Sequence, residues 1–106
     1  MIIIIDRKKI FIIAEAGIGH FGSLKIAKKL VLLAKKSGAD AVKFQAYKTE
    51  DLIDKNFKEW FKRYKIKEVD LGFYKKVKNF CKKQNIVFLL TPHTESVLNW
   101  IKILLY

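Results

Sequence analysis

Phe11-Ile-Ile-Ala-Glu-Ala-Gly17 is an apolar run that ends in an ionisable side chain and a glycine. Two later runs have the same form, namely Ala41-Val-Lys-Phe-Gln45 and Phe88-Leu-Leu-Thr-Pro92. A buried parallel strand whose C-terminal tip carries polar groups has this pattern. Because helical patterns separate the runs, the sequence predicts an α/β fold with a parallel sheet. We therefore expect a functional site at the carboxyl edge of that sheet.

Local signals predict where the intervening helices begin and end. Ser23 and Asp70 are good N-caps, and Gly38 is a natural residue to end the first helix. Asn85 tolerates the left-handed turn that leads into the third strand, and Thr94 can cap a last helix. The predicted strands are Phe11 to Glu15, Ala41 to Phe44 and Val87 to Leu90.

The N-terminal segment holds two β-branched runs, 2–5 and 10–14, around the polar connection 6–9. This pattern predicts a lead-in strand or hairpin before the first main strand. The apolar run Met1-Ile-Ile-Ile-Ile5 is too short for a signal core or a membrane span. We therefore expect a cytoplasmic protein with no membrane partner.

Cys81 is the only cysteine of the chain. A single cysteine excludes an intramolecular disulfide framework and suits a reducing compartment. Tyr74, Val77 and Cys81 fall at helical spacing, which predicts that Cys81 packs in the core.

A longer stretch follows the second strand and carries an aromatic stripe. Phe57, Trp60, Phe61 and Tyr64 fall at i, i+3, i+4 and i+7 of a predicted helix. Core or interface packing is favoured over base stacking, because no arginine-rich groove accompanies the stripe.

The chain is strongly basic, with 22 Lys and Arg residues against 10 acidic ones and a formal net charge of +12. Such a charge permits binding to nucleic acids or anionic membranes. The lysines recur in pairs on the outer faces of predicted helices, whereas arginine, the better reader of bases and phosphates, is nearly absent. The pattern indicates a solvated surface and no specific nucleic-acid partner.

Five motifs follow one another along nearly the whole chain. They are Glu15-Ala-Gly17, His20 with Gly22-Ser23, Gly38-Ala-Asp-Ala-Val-Lys-Phe-Gln45, Thr49-Glu-Asp-Leu52 and Thr91-Pro92. In order and spacing they resemble the N-terminal part of the N-acetylneuraminate (sialic acid) synthase family. The resemblance implies a (β/α)8 TIM barrel, of which residues 1–106 form about the first three βα units behind the lead-in strand. It also implies a transferase of sialic or related nonulosonic acid biosynthesis, which condenses phosphoenolpyruvate with an N-acylmannosamine-type sugar.

The length of the chain bears on this interpretation. A complete barrel needs about 250 residues, whereas the chain has 106 and ends inside the apolar helical pattern 97–106. We interpret it as a fragment or as the product of a shortened gene, inactive in isolation. An open sheet edge and apolar helix flanks would then favour self-association or binding to a missing portion of the barrel.

Glu15 is the catalytic candidate. A carboxylate that ends a buried strand is costly unless it is paired or works as an acid or base. An ion pair with Lys43 on the neighbouring strand is one role. The resemblance implies another, handling of the sugar carbonyl and proton transfer, and the two roles are compatible.

Lys43, Gln45, Thr91 and His20 are the substrate-binding candidates. Lys43 and Gln45 share one face of their strand, and an ammonium with an amide suits the phosphate or carboxylate of phosphoenolpyruvate. The alternative is a buried lysine paired with Glu15. The resemblance implies that the Thr91 hydroxyl also binds phosphoenolpyruvate, although a Thr-Pro pair by itself often marks only a turn.

The resemblance further implies a divalent metal, Mn or Mg, whose histidine ligands lie in later strands of the full-length family and are absent from this chain. His20 and His93 follow strand tips, but two histidines without a carboxylate cluster are a weak metal signal. Substrate contact or plain loop polarity is favoured for both histidines.

Two strings depart from the family pattern. Gly19-His-Phe-Gly22 stands where Asn-His-Asn-Gly is usual, and Thr91-Pro-His-Thr94 stands where Thr-Pro-Phe-Asp is common. Both changes touch loops expected to face the sugar, so they bear on the identity of the acceptor. The alternative to an enzyme fragment is a non-catalytic βα module for binding or assembly, and a basic nucleic-acid-binding domain is the third hypothesis.

Overall fold

The computed structural model describes residues 10–105, in which strands alternate with helices. The order is β1 (Ile13–Gly17), α1 (Leu24–Lys36), β2 (Ala41–Ala46), α2 (Thr49–Leu52), α3 (Lys58–Lys65), α4 (Leu71–Lys83), β3 (Val87–Pro92), a 3-10 turn (Glu95–Val97) and α5 (Trp100–Leu105). This order confirms the predicted alternation. The expected lead-in strand, 2–5, lies outside the described residues. None of the helices in this range has the length and apolar character needed to cross a membrane.

The three strands form one sheet in the order β1-β2-β3, and both neighbouring pairs are parallel. Glu15 pairs with Lys43 across β1 and β2, and Gln45 pairs with Thr91 across β2 and β3. The carboxyl ends of the strands therefore lie side by side, as the sequence predicts. The register shifts between Glu15 and Gly17, so β1 carries an irregularity directly after its acidic residue.

β1 is displaced from its predicted position. It begins at Ile13 and continues through Gly17, whereas Phe11 precedes it with a side chain that is 57% exposed. Asp40 explains the late start, because its carboxylate accepts a hydrogen bond from the Ile12 backbone N–H at 2.8 Å. A side chain there takes the place of a ladder partner, so Ile12 lies beside the start of β2 without belonging to the strand.

β3 is longer than predicted and includes both Thr91 and Pro92. Pro92 has no N–H to donate, yet it closes the strand without an orphaned group. The backbone N–H of the next residue, His93, donates to the Ala46 carbonyl at 2.8 Å. Thr91 is therefore held within the ladder, and the turn that a Thr-Pro pair can signal begins after it.

The predicted caps of the two long helices are confirmed. The Ser23 hydroxyl accepts from the backbone N–H of Ile26 at 3.2 Å, and the Asp70 carboxylate accepts from that of Phe73 at 2.8 Å. Each such cap contributes about 1 kcal/mol. Asn85 has the predicted left-handed backbone, with φ 57°.

Thr94 does not cap the last helix, so that prediction is wrong. No side-chain cap bond forms at the 3-10 turn that follows it. Its hydroxyl instead accepts from the backbone N–H of Lys48 at 3.1 Å and bonds Ser96 at 2.8 Å. The hydroxyl is thus used to tie the loop after β3 to the loop after β2.

The core lies between one face of the sheet and helices α1 and α4. Val42, Phe44 and Ala46 alternate along β2 and are buried, whereas Lys43 and Gln45 lie on the other face and are half-buried. The helices contribute residues at three- and four-residue spacing: Ala27, Val31, Ala34, Tyr74, Val77 and Cys81.

Cys81 is fully buried, which confirms the prediction that it packs in the core. Burial raises the pKa of its thiol to about 12, so the thiolate is scarce at neutral pH. The side chain therefore acts as a small apolar group.

α3 confirms the predicted helix but not core packing of its aromatic stripe. No residue of α3 is buried, and Phe57 and Trp60 are 62% and 54% exposed. Phe61 and Tyr64 are half-buried. The stripe does not join the core of the described chain, and an interface role for it stays a prediction.

Candidate functional site at the carboxyl ends of the strands

Three of the predicted side chains meet on one face of β1 and β2, from the middle of these strands toward their carboxyl ends. Lys43 Nζ lies 3.2 Å from Glu15 Oε2, and Gln45 Nε2 donates to Glu15 Oε1 at 3.5 Å. The parallel register brings them together, because it sets Glu15 beside Lys43, and the two-residue period of the strand puts Gln45 on the same face as Lys43. One carboxylate thus faces an ammonium and an amide.

The cluster is open to water. The side chains of Lys43 and Glu15 are 35% and 48% exposed. An ion pair this accessible contributes only about 0–1 kcal/mol to stability. The predicted ion pair is present, and Lys43 is half-buried in it. Since little free energy holds Lys43 to Glu15, an incoming anion can compete for the ammonium group.

Glu15, Lys43 and Gln45 form a row of polar residues across β1 and β2, and Thr91 extends this row onto β3. It is the ladder partner of Gln45 and is half-buried. Carboxylate, ammonium, amide and hydroxyl therefore follow one another across the sheet at its carboxyl edge. Such an edge is where parallel α/β folds place their ligands.

His20 lies apart from this row, in the loop between β1 and α1, and is fully buried. Its Nδ1 accepts from the Gly22 backbone N–H at 2.9 Å, and its Nε2 lies 3.1 Å from the Tyr74 hydroxyl. That hydroxyl donates to the Gln45 carbonyl at 2.5 Å. His20 thus reaches the row through Tyr74, and direct contact between His20 and a substrate stays a prediction.

Burial lowers the pKa of His20 from 6.5 to about 4. Between these values the unfolded chain binds a proton on His20 and the folded chain does not, so the free energy of unfolding should fall as the pH drops from about 6.5 to about 4. Urea unfolding at about pH 7 and about pH 5 measures this slope. His20→Gln should flatten it, and an equal slope in the wild type and the variant would contradict the prediction.

The donor groups of residues 10–105 do not form a metal site. No group of three or more His, Cys, Asp or Glu side chains is arranged there to hold an ion. Both nitrogens of His20 are engaged, and His93 is an exposed loop residue. The described part of the chain therefore offers no complete set of ligands for the divalent metal that the resemblance implies.

The sequence patterns do not predict the hydrogen bonds that two side chains near this edge, Tyr74 and Glu68, make. Tyr74 is predicted only as a core residue, although a buried tyrosine hydroxyl usually needs a hydrogen-bond partner, which is a usable signal. Glu68 lies in an irregular stretch that carries no motif. Its Oε1 accepts from the backbone N–H and the hydroxyl of the fully buried Thr49, at 2.7 and 2.8 Å. This pair fixes the start of α2 directly after the tip of β2.

Comparisons with known proteins agree on one family. The NeuB family model matches residues 30–105. An uncharacterised protein of Methanocaldococcus jannaschii is 45% identical over 82 residues, covering 77% of this chain and 24% of that protein. The N,N'-diacetyllegionaminic acid synthase of Campylobacter jejuni is 41% identical over 100 residues, covering 80% of this chain and 29% of that enzyme.

A solved structure shows the same relationship in three dimensions. The N-acetylneuraminic acid (sialic acid) synthetase of Leptospira borgpetersenii, crystallised with citrate, superposes with a TM-score of 0.83 at 37% identity. The match covers 90% of this chain and 33% of that one, and it confirms the predicted partial (β/α)8 barrel. The chain thus spans between 24% and 33% of the length of these relatives. From the family match and the shared fold together, the chain belongs to the NeuB family, as its motifs predict.

Proposed function

We propose that this chain is the N-terminal part of a synthase that condenses phosphoenolpyruvate with an N-acylated amino sugar. The convergence of Glu15, Lys43 and Gln45 on one face of the sheet, toward its carboxyl edge, is the observation that carries the proposal. Relatives named as synthases of legionaminic acid, pseudaminic acid and N-acetylneuraminate 9-phosphate support the substrate class. In this proposal the acceptor is an aldehyde of the N-acylmannosamine type.

Lys43, Gln45 and Thr91 form the phosphoenolpyruvate side of the proposed site. Phosphoenolpyruvate carries a phosphate and a carboxylate, and a flexible ammonium group beside an amide and a hydroxyl can donate to such oxygens. The weak ion pair with Glu15 lets Lys43 turn toward the anion at little cost. Binding of phosphoenolpyruvate would therefore release the carboxylate for its own role.

Glu15 is the group for proton transfer in this proposal. The enol carbon of phosphoenolpyruvate forms a bond to the aldehyde carbon of the sugar, and the aldehyde oxygen takes up a proton from solvent. Water then loses one proton and adds to the carbon that still carries the phosphate. The C–O bond to phosphate breaks as the new hydroxyl passes its proton to the leaving phosphate, and a keto acid and inorganic phosphate remain. A carboxylate at the strand tip can accept the proton that the attacking water loses.

The family's divalent metal enters no step assigned to this chain. Within residues 10–105 the donor groups do not assemble a metal site, so polarisation of the aldehyde is left to other parts of a complete barrel. What the described residues supply is an anion-binding row and one carboxylate.

A binding experiment with phosphoenolpyruvate tests the assignment of Lys43. Isothermal titration should detect weak binding to the wild-type chain and none to Lys43→Ala, because the substitution removes the cation that faces the anion. Lys36→Ala is the matched control, since it removes the same charge from an exposed position on α1. Equal affinities of the two variants would overturn the assignment, because they would indicate that only net charge attracts the ligand.

We expect no condensation of phosphoenolpyruvate with N-acetylmannosamine by the purified chain, whichever divalent metal is added. The physical reason is that the chain spans only 24% to 33% of the length of its relatives, so most strand tips of a complete barrel have no counterpart in it. Release of inorganic phosphate, followed with and without the sugar, measures the reaction. Sugar-dependent release would show that the strand tips of this chain suffice for the chemistry.

A further inference from the structure

A continuous path of hydrogen bonds runs through the buried layer behind the candidate site. It begins at the Gly22 backbone N–H, passes through the imidazole of His20 and the hydroxyl of Tyr74, and ends at the Gln45 carbonyl. The distances along it are 2.9, 3.1 and 2.5 Å. The path therefore connects the β1–α1 loop, helix α4 and the tip of β2.

The direction of every bond follows from its fixed ends. A backbone N–H can only donate, so His20 Nδ1 is the acceptor from Gly22, and a neutral ring then carries its hydrogen on Nε2. A carbonyl can only accept, so the Tyr74 hydroxyl donates to Gln45 and accepts from His20. One neutral tautomer thus satisfies all three bonds at once.

The environment of the path makes these bonds hard to replace. His20 and Tyr74 are both fully buried, so water has no access to substitute for a lost partner. The rings of Phe44 and Phe73 pack around the imidazole, with centroids at 6.1 and 4.9 Å. Burial also raises the pKa of the Tyr74 hydroxyl, which therefore remains a donor.

The loop at the start of the path adopts a shape that needs support. Phe21, between His20 and Gly22, has φ 51°, in the left-handed region that side chains other than glycine avoid. Such a conformation persists only when the surroundings hold it. The bond from Gly22 to His20 spans this residue and fixes the loop.

We propose that His20 and Tyr74 are positioning residues that set the orientation of Gln45 at the tip of β2. The Tyr74 hydroxyl holds the backbone carbonyl of Gln45, which is attached to the same Cα as the Gln45 side chain. That side chain reaches Glu15 at 3.5 Å. The benefit for ligand binding rests on the function proposed above, in which Gln45 contacts phosphoenolpyruvate. The orientation of Gln45 itself does not depend on that function.

Tyr74→Phe tests the proposal, because it removes only the hydroxyl. Tyr47→Phe is the matched control: Tyr47 is also buried, and its hydroxyl donates to a backbone carbonyl, that of Tyr64, at 2.7 Å. Each variant loses one O–H to carbonyl bond, but Tyr74→Phe also leaves the buried Nε2–H of His20 without its acceptor, so Tyr74→Phe should lose more stability than Tyr47→Phe. Only Tyr74→Phe should shift the side-chain amide resonances of Gln45. It should also weaken phosphoenolpyruvate binding about tenfold, which corresponds to the loss of one hydrogen bond of about 1.4 kcal/mol between Gln45 and the ligand.

Nitrogen NMR of the imidazole supplies a readout that does not involve the ligand. We expect the Nε2-protonated neutral tautomer of His20 in the wild type and changed imidazole shifts in Tyr74→Phe. If the wild type fails to bind phosphoenolpyruvate while the Gln45 amide still responds selectively to Tyr74→Phe, the proposed function falls and the positioning role stands. An unchanged Gln45 amide in Tyr74→Phe, an equal response in Tyr47→Phe, or the Nδ1-protonated tautomer of His20 would each overturn the proposal.

Discussion

Phe44→Ala is expected to remove a large part of the stability of the chain. The ring lies at the centre of the middle strand, is fully buried, and has the rings of Tyr74 and Phe88 at centroid distances of 6.1 Å. Truncating a buried phenylalanine to alanine costs about 3–5 kcal/mol, because transfer free energy is lost and a cavity remains. A domain of this size is stabilised by about 5–15 kcal/mol in total. Urea unfolding followed by circular dichroism measures the loss.

Phe57→Ala is the matched control for that measurement. The same atoms are removed, but the Phe57 side chain is 62% exposed and precedes α3 at the surface. Its cost should stay within about 0.5 kcal/mol, as for most surface substitutions. A similar loss in both variants would mean that the buried layer behind β2 does not determine the stability of the chain.

The parts of the fold that follow from local rules were predictable from the sequence. Alternation along β2 correctly separates buried Val42 and Phe44 from Lys43 and Gln45, because the side-chain period of a strand is fixed at two. The caps at Ser23 and Asp70 need only residues within one helical turn. The meeting of Glu15 with Lys43 was predictable for another reason. Parallel strands end at a common edge, so the two side chains come together once the strands are known to be neighbours.

The features that local rules do not predict depend on contacts between distant parts of the chain. His20 and Tyr74 are 54 residues apart, and no spacing rule relates a loop histidine to one face of a later helix. The Thr94 hydroxyl is taken by the Lys48 backbone, 46 residues away, and that competition overrides its local capping preference. Likewise, the exposure of Phe57 and Trp60 depends on what α3 packs against, which helical periodicity does not specify.

Gly22→Ala should also destabilise the chain strongly, for two separable reasons. Gly22 has φ 77°, where a side chain costs about 1–2 kcal/mol. A Cβ there would also lie 2.6 Å from the carbonyl oxygen of Ile66, a backbone atom that moves only if the connection between α3 and α4 moves with it. Overpacking of this kind costs about 1–3 kcal/mol more. We expect a total of about 2–5 kcal/mol in urea unfolding.

Gly38→Ala separates the two reasons. Gly38 has a similar backbone, with φ 87°, but no atom lies within 4 Å of the position that an alanine methyl group would take, so only the backbone strain should appear. The difference between the two variants measures the collision with Ile66. Because the Gly22 N–H also donates to His20, that collision should disturb the imidazole and, through Tyr74, the tip of β2. Equal losses of stability in the two variants would show that the α3–α4 connection at Ile66 moves aside at no cost. The close approach of this connection to the β1–α1 loop would then place no constraint on the site.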